Sequence, residues 1–321
     1  MIEVSLVIPI LNEESSITSL VSSIQNQSVM PDEVIFVDGG STDRTIEIVE
    51  ELALQNNLYK LVKAGKATPG RGRNVGVTEA RCQWIAFTDA GIRLDVNWLK
   101  LLIDNIKKDA SIDVVYGNCI VKVETFFARC AVFAYVSPKQ DENNEWRCGP
   151  FIASSLMRRI VWEQVGGFPD ARAAEDLIFM EAVEKAGFKI DYAPQAKVFW
   201  QLRPDALSTF QKFVLYSKHN VWVKRQWDWH YGILRQYLII LPFIVLSLTH
   251  SRWWLLVILA WTVIRTAKRI IAHRGEFGLA PIFNPLVFLE VTLLIFMIDT
   301  ATFVGWGQAV WQKNEQHSHP Q

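Results

Sequence analysis

Residues 34–43 have the sequence VIFVDGGSTD, and residues 84–91 have the sequence WIAFTDAG. Each segment is a short apolar run of the strand type that ends in an aspartate, Asp38 or Asp89, with glycine close behind. Buried parallel strands have continuous apolar sequences, and open α/β sheets bind ligands beyond the carboxyl ends of such strands. The pattern therefore predicts two carboxylates that suit a ligand with hydroxyl groups and a metal-bound diphosphate.

Around these segments, strands and helices alternate along the chain. This alternation is typical of an α/β fold with a doubly wound, mainly parallel sheet. Ser41 or Thr42 is predicted as the N-cap of the helix that follows the first segment. Strands are predicted at 4–10, 34–37, 58–62, 82–88, 113–120, 151–157, 189–192 and 197–201. Helices are predicted at 15–25, 46–54, 69–80, 98–106, 175–185 and 205–226.

Composition limits the function classes that the chain can belong to. The 321 residues include 33 Lys and Arg and 33 Asp and Glu, so the near-zero net charge gives no general attraction to nucleic acid. The cysteines lack CxxC spacing and the histidines lack an HExxH motif, which argues against a zinc site. Because the apolar and tryptophan content rises late in the chain, we predict an α/β domain at 1–230, membrane-associated helices at 231–311 and a polar tail at 312–321.

Residues 70–76, GRGRNVG, form a glycine-rich segment with two arginines. The spacing is GxGxxxG and the segment is not in the first strand-to-helix turn, so it is a poor match to a dinucleotide-binding motif. Two interpretations remain open from the residues alone. Backbone N–H groups and the guanidiniums of Arg71 and Arg73 would favour an anion at a helix start, or the segment is a solvated basic helix start.

The acidic residues also allow structural and functional interpretations. Turn chemistry alone often places Asp beside Gly, as at Asp38 and Asp89. Glu175 and Asp176 begin a predicted helix, where the helix dipole favours acidic residues for structural reasons. A functional carboxylate at this helix start would be a general base that accepts a proton from an attacking hydroxyl. Spacing in the sequence does not choose between these roles.

Taken together, these motifs resemble the family 2 glycosyltransferases, which have the GT-A fold. The resemblance covers roughly residues 3–205, and its motifs are specific jointly although none is specific alone. The matching stretches are VSLVIPILNE at 4–13, VDGGSTD at 37–43, RNVG at 73–76, FTD at 87–89, and GGF at 166–168 with Glu175-Asp176.

The resemblance implies a role for each matching residue. Pro9, Asn12 and Glu13 would border the nucleotide base, and Asp38 would hold the base or the ribose. Arg71, Arg73 and Asn74 would lie near the diphosphate of a nucleotide-sugar donor. Asp89 corresponds to the first acid of the DxD motif, which binds Mg²⁺ or Mn²⁺ across the donor phosphates. Asp176, or else Glu175, corresponds to the catalytic base of the inverting enzymes.

Two departures from the family pattern affect these expectations. Gly91 takes the place of the second acid of DxD, so the metal would have one protein carboxylate; Mg²⁺ tolerates this because it often keeps waters and substrate phosphates as ligands. The QxxRW motif of processive polysaccharide synthases is missing, which favours transfer of one sugar over polymerisation. The expected reaction is a direct displacement with inversion, in which Asp176 deprotonates an acceptor hydroxyl.

The C-terminal part contains three apolar segments, at 237–248, 253–264 and 286–306. The first two are shorter than the roughly 20 residues of a spanning helix, so a spanning hairpin, a pair of interfacial helices and buried soluble helices are alternatives. Basic residues in a predicted loop between the second and third segments place that loop in the cytoplasm: Arg265, Lys268, Arg269 and Arg274. A tail outside the membrane follows from that topology.

A membrane tether suggests an acceptor at the bilayer surface, such as a lipid-linked saccharide, and hence a role in making cell-envelope polysaccharide or glycolipid. The alternatives are a polyisoprenyl-phosphate glycosyl synthase, which needs no general base, and a non-catalytic GT-A module that binds a nucleotide-sugar. Gly91 keeps the non-catalytic alternative open. A nicotinamide oxidoreductase is disfavoured because no GxGxxG motif follows the first strand.

Overall fold

The computed structural model describes residues 2–138 and 150–318, with side chains up to residue 312. The strands are β1 Val4–Ile10, β2 Glu33–Asp38, β3 Tyr59–Lys63, β4 Trp84–Phe87, β5 Ile92–Leu94, β6 Val114–Lys122, β7 Ser155–Arg158 and β8 Ile190–Gln201. The helices are α1 Ile17–Gln25, α2 Thr45–Gln55, α3 Pro69–Glu79, α4 Trp98–Lys108, α5 Phe126–Tyr135, α6 Arg159–Val165, α7 Glu175–Lys185, α8 Ala206–Trp222, α9 Gln226–Trp229, α10 Tyr231–Thr249, α11 Leu255–Ala272, α12 Arg274–Phe277 and α13 Pro285–Ser318.

All eight strands of the described chain belong to one mixed sheet, in the order β3-β2-β1-β4-β7-β6-β8-β5. Strands β1 to β4 pair in parallel, as do β6 and β8, whereas the pairs β4–β7, β6–β7 and β5–β8 are antiparallel. The predicted α/β class is confirmed. The antiparallel strand β7 makes the sheet mixed, and it separates the parallel strands β1 to β4 from β6, β8 and β5.

Both faces of the sheet are covered, because successive side chains of a strand point to opposite faces. In β1, Leu6 and Ile8 belong to one buried apolar cluster and Val7 belongs to the other. Phe36 and Val37 of β2 divide between the same two clusters. A strand buried on both faces needs apolar residues on both, which explains the apolar run at 34–37 in β2 and the largely apolar sequence of β1. The buried polar residue of β1, Ser5, donates its hydroxyl to Glu33 of β2.

By internal contacts the chain divides into two compact units, residues 1–122 with 140–201, and residues 123–139 with 202–321. The first unit contains the whole sheet. The second contains α5 and the helices from α8 onward. Residues 202–230 therefore group with the C-terminal helices, and the sequence-based division into 1–230, 231–311 and 312–321 remains a prediction. The side chains of the predicted tail from residue 313 lie outside the described residues.

In the second unit, two helices are long and apolar enough to cross a membrane, Tyr231–Thr249 and Pro285–Gln312. A buried carboxylate in the latter, Asp299, is paired: its Oδ1 accepts from Arg265 Nη2 at 2.8 Å, and its Oδ2 accepts from Arg265 Nη1 and from the Tyr237 hydroxyl. One ionic cluster thus joins α10, α11 and α13, which is the pairing that buried charges require.

Several local predictions were wrong for identifiable reasons. Helix α5 was not predicted, because it is apolar on most sides and has little periodicity. Neither Ser41 nor Thr42 caps α2; the helix begins at Thr45, whose N–H donates to Asp43. Residues 152–154 form a 3₁₀ turn ahead of β7. The predicted basic loop is largely helical, since α11 continues to Ala272 and includes Arg265.

Candidate active site

The loops that follow β1 and β2 are joined by hydrogen bonds. The Asn12 amide oxygen accepts from Thr42 N at 2.8 Å, and Asn12 N donates to the Ser41 hydroxyl at 2.9 Å. Glu13 N donates to the Thr45 hydroxyl at 2.7 Å. Asn12 has a φ of 55°, in the left-handed region that asparagine tolerates better than most residues. The two strand ends are thereby held together as one rim.

Two further predicted donor-side residues lie at this rim. Asp38, the last residue of β2, is buried and accepts from Gly40 N at 2.9 Å and from Ser41 N at 3.1 Å. Pro9 pairs with Val37 in the sheet. The bonds of Asp38 are those of an aspartate-stabilised turn, so this carboxylate shapes the loop. Its contact with a nucleotide remains a prediction, as do those of Pro9, Asn12 and Glu13.

Arg73 is the centre of the acidic part of the site. Its side chain is almost fully buried, with 3% of the residue exposed. Its Nη2 donates to Asp89 Oδ1 at 2.8 Å, and its Nη1 donates to Glu175 Oε1 at 2.9 Å. The guanidinium carbon also lies 5.4 Å from the centre of the Phe168 ring. One guanidinium therefore connects the end of β4 to the start of α7.

In this cluster, burial and the neighbouring opposite charges shift the pKa values of Arg73 and Glu175 in opposite directions. Burial lowers the pKa of Arg73, but the carboxylates of Asp89, Glu175 and Asp176 outweigh it, and the pKa is raised. Burial raises the pKa of Glu175, while the Arg73 guanidinium opposes that rise. Arginine is charged at any physiological pH, and Glu175 is the buried hydrogen-bond partner of Arg73.

Asp176 differs from Glu175 in its surroundings. Glu175 is buried, whereas Asp176 is only half-buried, and its Oδ1 accepts from Leu177 N at 2.8 Å. The preceding residue, Ala174, has a φ of 66°, so the chain turns sharply into α7. Asp176 is thus the more exposed of the two acids, and a general base must be within reach of the attacking hydroxyl. The role of Asp176 as the base remains a prediction.

Asn74 holds the start of α3 to the segment before α7. Its Nδ2 donates to Phe168 O, and its Oδ1 accepts from Phe168 N and from Trp162 Nε1, each at 2.8 Å. Arg71, three residues before Asn74 on α3, is exposed. The three residues predicted to meet the diphosphate thus have different surroundings: Asn74 is engaged by the protein, Arg73 is enclosed by carboxylates, and Arg71 faces solvent.

Asp89 has the features expected of a carboxylate that shares a metal with phosphates. Its side chain is 41% exposed. Within the described residues its only side-chain bond is the one from Arg73 to Oδ1, which leaves Oδ2 to a cation. No group of three or more His, Cys, Asp or Glu residues forms a metal cluster in that part of the chain. Because Mg²⁺ takes one or two carboxylates and completes its shell with phosphates and water, Asp89 fits that chemistry.

Phe168 was quoted in a motif but assigned no role from the sequence. Its ring stacks on Phe179 at 3.9 Å between centroids and contacts the edge of Phe87, besides facing Arg73. Thr68 was likewise missed: its hydroxyl donates to Asp170 at 2.5 Å and accepts from Arg71 N. The sequence signal for Thr68 was its position before Pro69, since Thr-Pro is a good helix start.

Comparison with known proteins identifies a matching family. Residues 5–162 match the model of the family described as glycosyl transferase family 2. Glycosyltransferase GlyG of Streptococcus pneumoniae is 31% identical over 117 residues, which are 36% of this chain and 38% of that protein. The chain therefore spans well under two thirds of the length of this relative.

Solved structures establish the fold. The mannosyltransferase PcManGT from Pyrobaculum calidifontis, in complex with GDP-Man and Mn²⁺, aligns with a TM-score of 0.64 and 14% identity over 97% of this chain and 88% of its own. Residues 1–349 of Staphylococcus aureus TarS, in complex with UDP-GlcNAc, align with a TM-score of 0.51 and 17% identity over 94% and 91%. At such identities the likeness concerns the fold.

Proposed function

We propose that this chain, which carries a glycosyl transferase family 2 domain of the GT-A type, is an inverting glycosyltransferase. It moves one sugar from a nucleotide-sugar donor to a hydroxyl of a membrane-proximal, lipid-linked acceptor. The observation that carries the proposal is the Arg73 cluster, in which Asp89 and Glu175 contact the same guanidinium and Asp176 is the next residue along α7. A donor-side carboxylate and a base-side carboxylate thus belong to one site.

The residues support a direct displacement. Asp176 takes the proton of the acceptor hydroxyl while the hydroxyl oxygen forms a bond to the anomeric carbon of the donor. The bond from that carbon to the diphosphate oxygen breaks on the opposite face, so the configuration inverts. A general base of this kind contributes about 10²- to 10⁴-fold to the rate. Glu175 stays paired with Arg73 and serves as the charge partner that keeps the guanidinium in place.

The donor end of the site requires cations to balance the leaving diphosphate. A divalent ion held by Asp89, Mg²⁺ or Mn²⁺, would supply charge stabilisation there. Arg71 is exposed at the start of α3, so its guanidinium is available to an anion. PcManGT binds GDP-Man with Mn²⁺ and TarS binds UDP-GlcNAc, so the comparisons support a nucleotide-sugar donor and leave its base open.

The proposal of a membrane-proximal acceptor rests on the apolar C-terminal helices. Helices α10 and α13 present apolar side chains to the surroundings, including Leu248 and Trp311. Such surfaces favour a cytoplasmic-membrane location, with the catalytic domain facing the cytoplasm where nucleotide-sugars are made. A saccharide or glycolipid held at the bilayer surface would then meet the site, in the assembly of cell-envelope polysaccharide or glycolipid.

Binding and transfer measured separately test the function. The detergent-purified protein is melted with UDP, GDP and dTDP, each with Mn²⁺ and with EDTA, because a ligand of the folded state raises the melting temperature. The nucleotide that shifts it identifies the donor class, and transfer of its radiolabelled sugar is then measured with membrane lipid extract as the acceptor. We expect a metal-dependent shift and transfer to lipid.

Asp176→Asn is the matched variant. The nucleotide should raise the melting temperature of this variant as it does for the wild type, and the rate of sugar transfer should fall by about 100-fold or more. Substantial transfer by Asp176→Asn would favour the polyisoprenyl-phosphate synthase, in which a phosphate oxygen is the nucleophile. If a nucleotide raises the melting temperature of the wild-type protein but no sugar is transferred, the non-catalytic module is favoured. Gly91, in place of the second acid of DxD, is the reason that this alternative is tested.

A further inference from the structure

We infer that Arg73 is a positioning residue that connects the donor carboxylate Asp89 to the base-bearing start of α7, and that it does not bind the diphosphate. The inference rests on the proposed function, because it assigns Asp89 to the donor and Asp176 to the acceptor. The two arginines of the GRGRNVG segment then have different roles. Arg71 is left as the cation that meets the donor.

The contacts of Arg73 leave little room for a phosphate. Each terminal nitrogen already donates to a carboxylate, Nη2 to Asp89 at 2.8 Å and Nη1 to Glu175 at 2.9 Å. The remaining nitrogen, Nε, is buried and has no hydrogen-bond partner among the described residues. The side chain is 4% exposed beside the Phe168 ring. Two of the five N–H groups of the guanidinium are used in these bonds, and because the side chain is enclosed, a diphosphate could reach the others only by opening this packing.

The same contacts fix the start of α7. Glu175 is the first residue of that helix, and its Cβ lies 3.3 Å from where a Cβ on Gly70 would be. Helix α3 and helix α7 therefore meet at their first turns. Because Asp176 is covalently next to Glu175, a bond that holds Glu175 also limits where Asp176 can lie.

Arginine suits this bridging position because its planar fork can donate to two carboxylates at once. Lysine carries the same charge on one nitrogen and cannot reproduce both bonds in the same directions. Arg71 lies two residues away on the helix, on a different side, and is exposed. The exposed guanidinium of Arg71 is thus available to the donor phosphates, while Arg73 holds the carboxylates of Asp89 and Glu175 in position.

The test measures nucleotide binding and turnover in the same variants. Calorimetry gives the Kd of the nucleoside diphosphate that stabilises the wild-type protein, and initial rates give kcat and the KM for donor. For Arg73→Lys we expect kcat to fall by about 100-fold, as for a misplaced catalytic group, with the nucleotide Kd within about threefold of wild type. For the control Arg71→Gln we expect the Kd to rise about tenfold or more, because a charge-assisted phosphate contact is lost.

Glu175→Gln is a second variant that keeps nearly the same volume and weakens the link by removing the carboxylate charge paired with Arg73. It should lower kcat without weakening nucleotide binding, and the double variant with Arg73→Lys should cost little more than either alone, since both act on one link. A rise in Kd for Arg73→Lys equal to that of Arg71→Gln would overturn the inference. Unchanged kcat in a folded Arg73→Lys protein would overturn it as well. Absence of transfer by the wild type would instead refute the proposed function.

Discussion

The carbonyl oxygen of Pro169 occupies the space that a side chain on Gly70 would need: an ideal Cβ there would lie 2.1 Å from that oxygen. Gly70 is in the first turn of α3, and Pro169 belongs to the segment that leads to α7. The close approach brings Arg73 of α3 within reach of Glu175. A backbone contact that only glycine permits thus determines how the acidic cluster is assembled.

We expect Gly70→Ala to destabilise the first compact unit, residues 1–122 with 140–201, although alanine is a better helix former than glycine. Overpacking costs about 1–3 kcal/mol and sometimes more, and an approach of 2.1 Å to a backbone atom puts this site at the upper end of that range. The cost there exceeds the roughly 1 kcal/mol that replacing a helical glycine gains. The melting temperature should fall, and transfer should fall with it. Gly307→Ala in α13 is the control, because nothing lies within 4 Å of its Cβ position. Equal melting temperatures for Gly70→Ala and the wild type would contradict the prediction.

Gly91→Asp should tighten metal binding. Gly91 is exposed and its Cβ position has no atom within 4 Å, so the Cβ of an aspartate displaces no neighbour. A second carboxylate near Asp89 raises the negative charge offered to a divalent ion, which increases affinity. The measurement is the Mn²⁺ concentration that gives half of the nucleotide-dependent thermal shift, and it should decrease. Gly91→Asn adds the same volume without charge, and an equal decrease in that variant would refute the explanation.

Asp299→Ala should weaken the C-terminal unit strongly. Asp299 is 2% exposed and its carboxylate accepts from Arg265 and Tyr237. Removing one partner of a buried ion pair leaves an uncompensated charge and costs about 3–5 kcal/mol in the free energy of unfolding. Urea unfolding in detergent, followed by tryptophan fluorescence, measures the loss. Adding Arg265→Met should recover much of it, and a double variant no more stable than Asp299→Ala would argue against the ion pair.

Asp205 should make the stability of α8 depend on pH. Its Oδ1 accepts from Ser208 N at 2.8 Å at the start of the helix, and that bond lowers the pKa of Asp205. A carboxyl whose pKa is lower in the folded state stabilises the fold above its unfolded pKa of about 3.9. That contribution is lost as the pH falls through the folded pKa.

Asp205→Ala should accordingly lower the melting temperature at neutral pH, and the difference from wild type should shrink below about pH 4. Asp205→Asn is the matched control, because asparagine also caps helices but does not titrate in this range. A difference between Asp205→Ala and the wild type that is the same at pH 7 and pH 3 would show that the charge of the cap plays no part.

Much of the fold was predictable from local patterns. Strand β1 and helix α7 have the predicted bounds, since continuous apolar runs and 3.6-residue periodicity are local properties. Strand β5 was not predicted, because three residues carry too little pattern. Helix α5 was missed for the opposite reason, an apolar surface nearly all round. The predicted strands at 189–192 and 197–201 are one strand, β8, with an irregularity opposite Tyr116 and Asn118.

The sequence by itself determined the α/β class, the strand ends that carry Asp38 and Asp89, and the helix start that carries Glu175 and Asp176. Only the tertiary structure decided which side chains meet. Arg73 and Glu175 are 102 residues apart in the chain, and their bond depends on a helix-to-loop approach that no local pattern encodes. The same approach buries Arg73 and leaves Arg71 in solvent. Two arginines that are equivalent in the sequence are therefore separated by burial, which is a property of the packed protein.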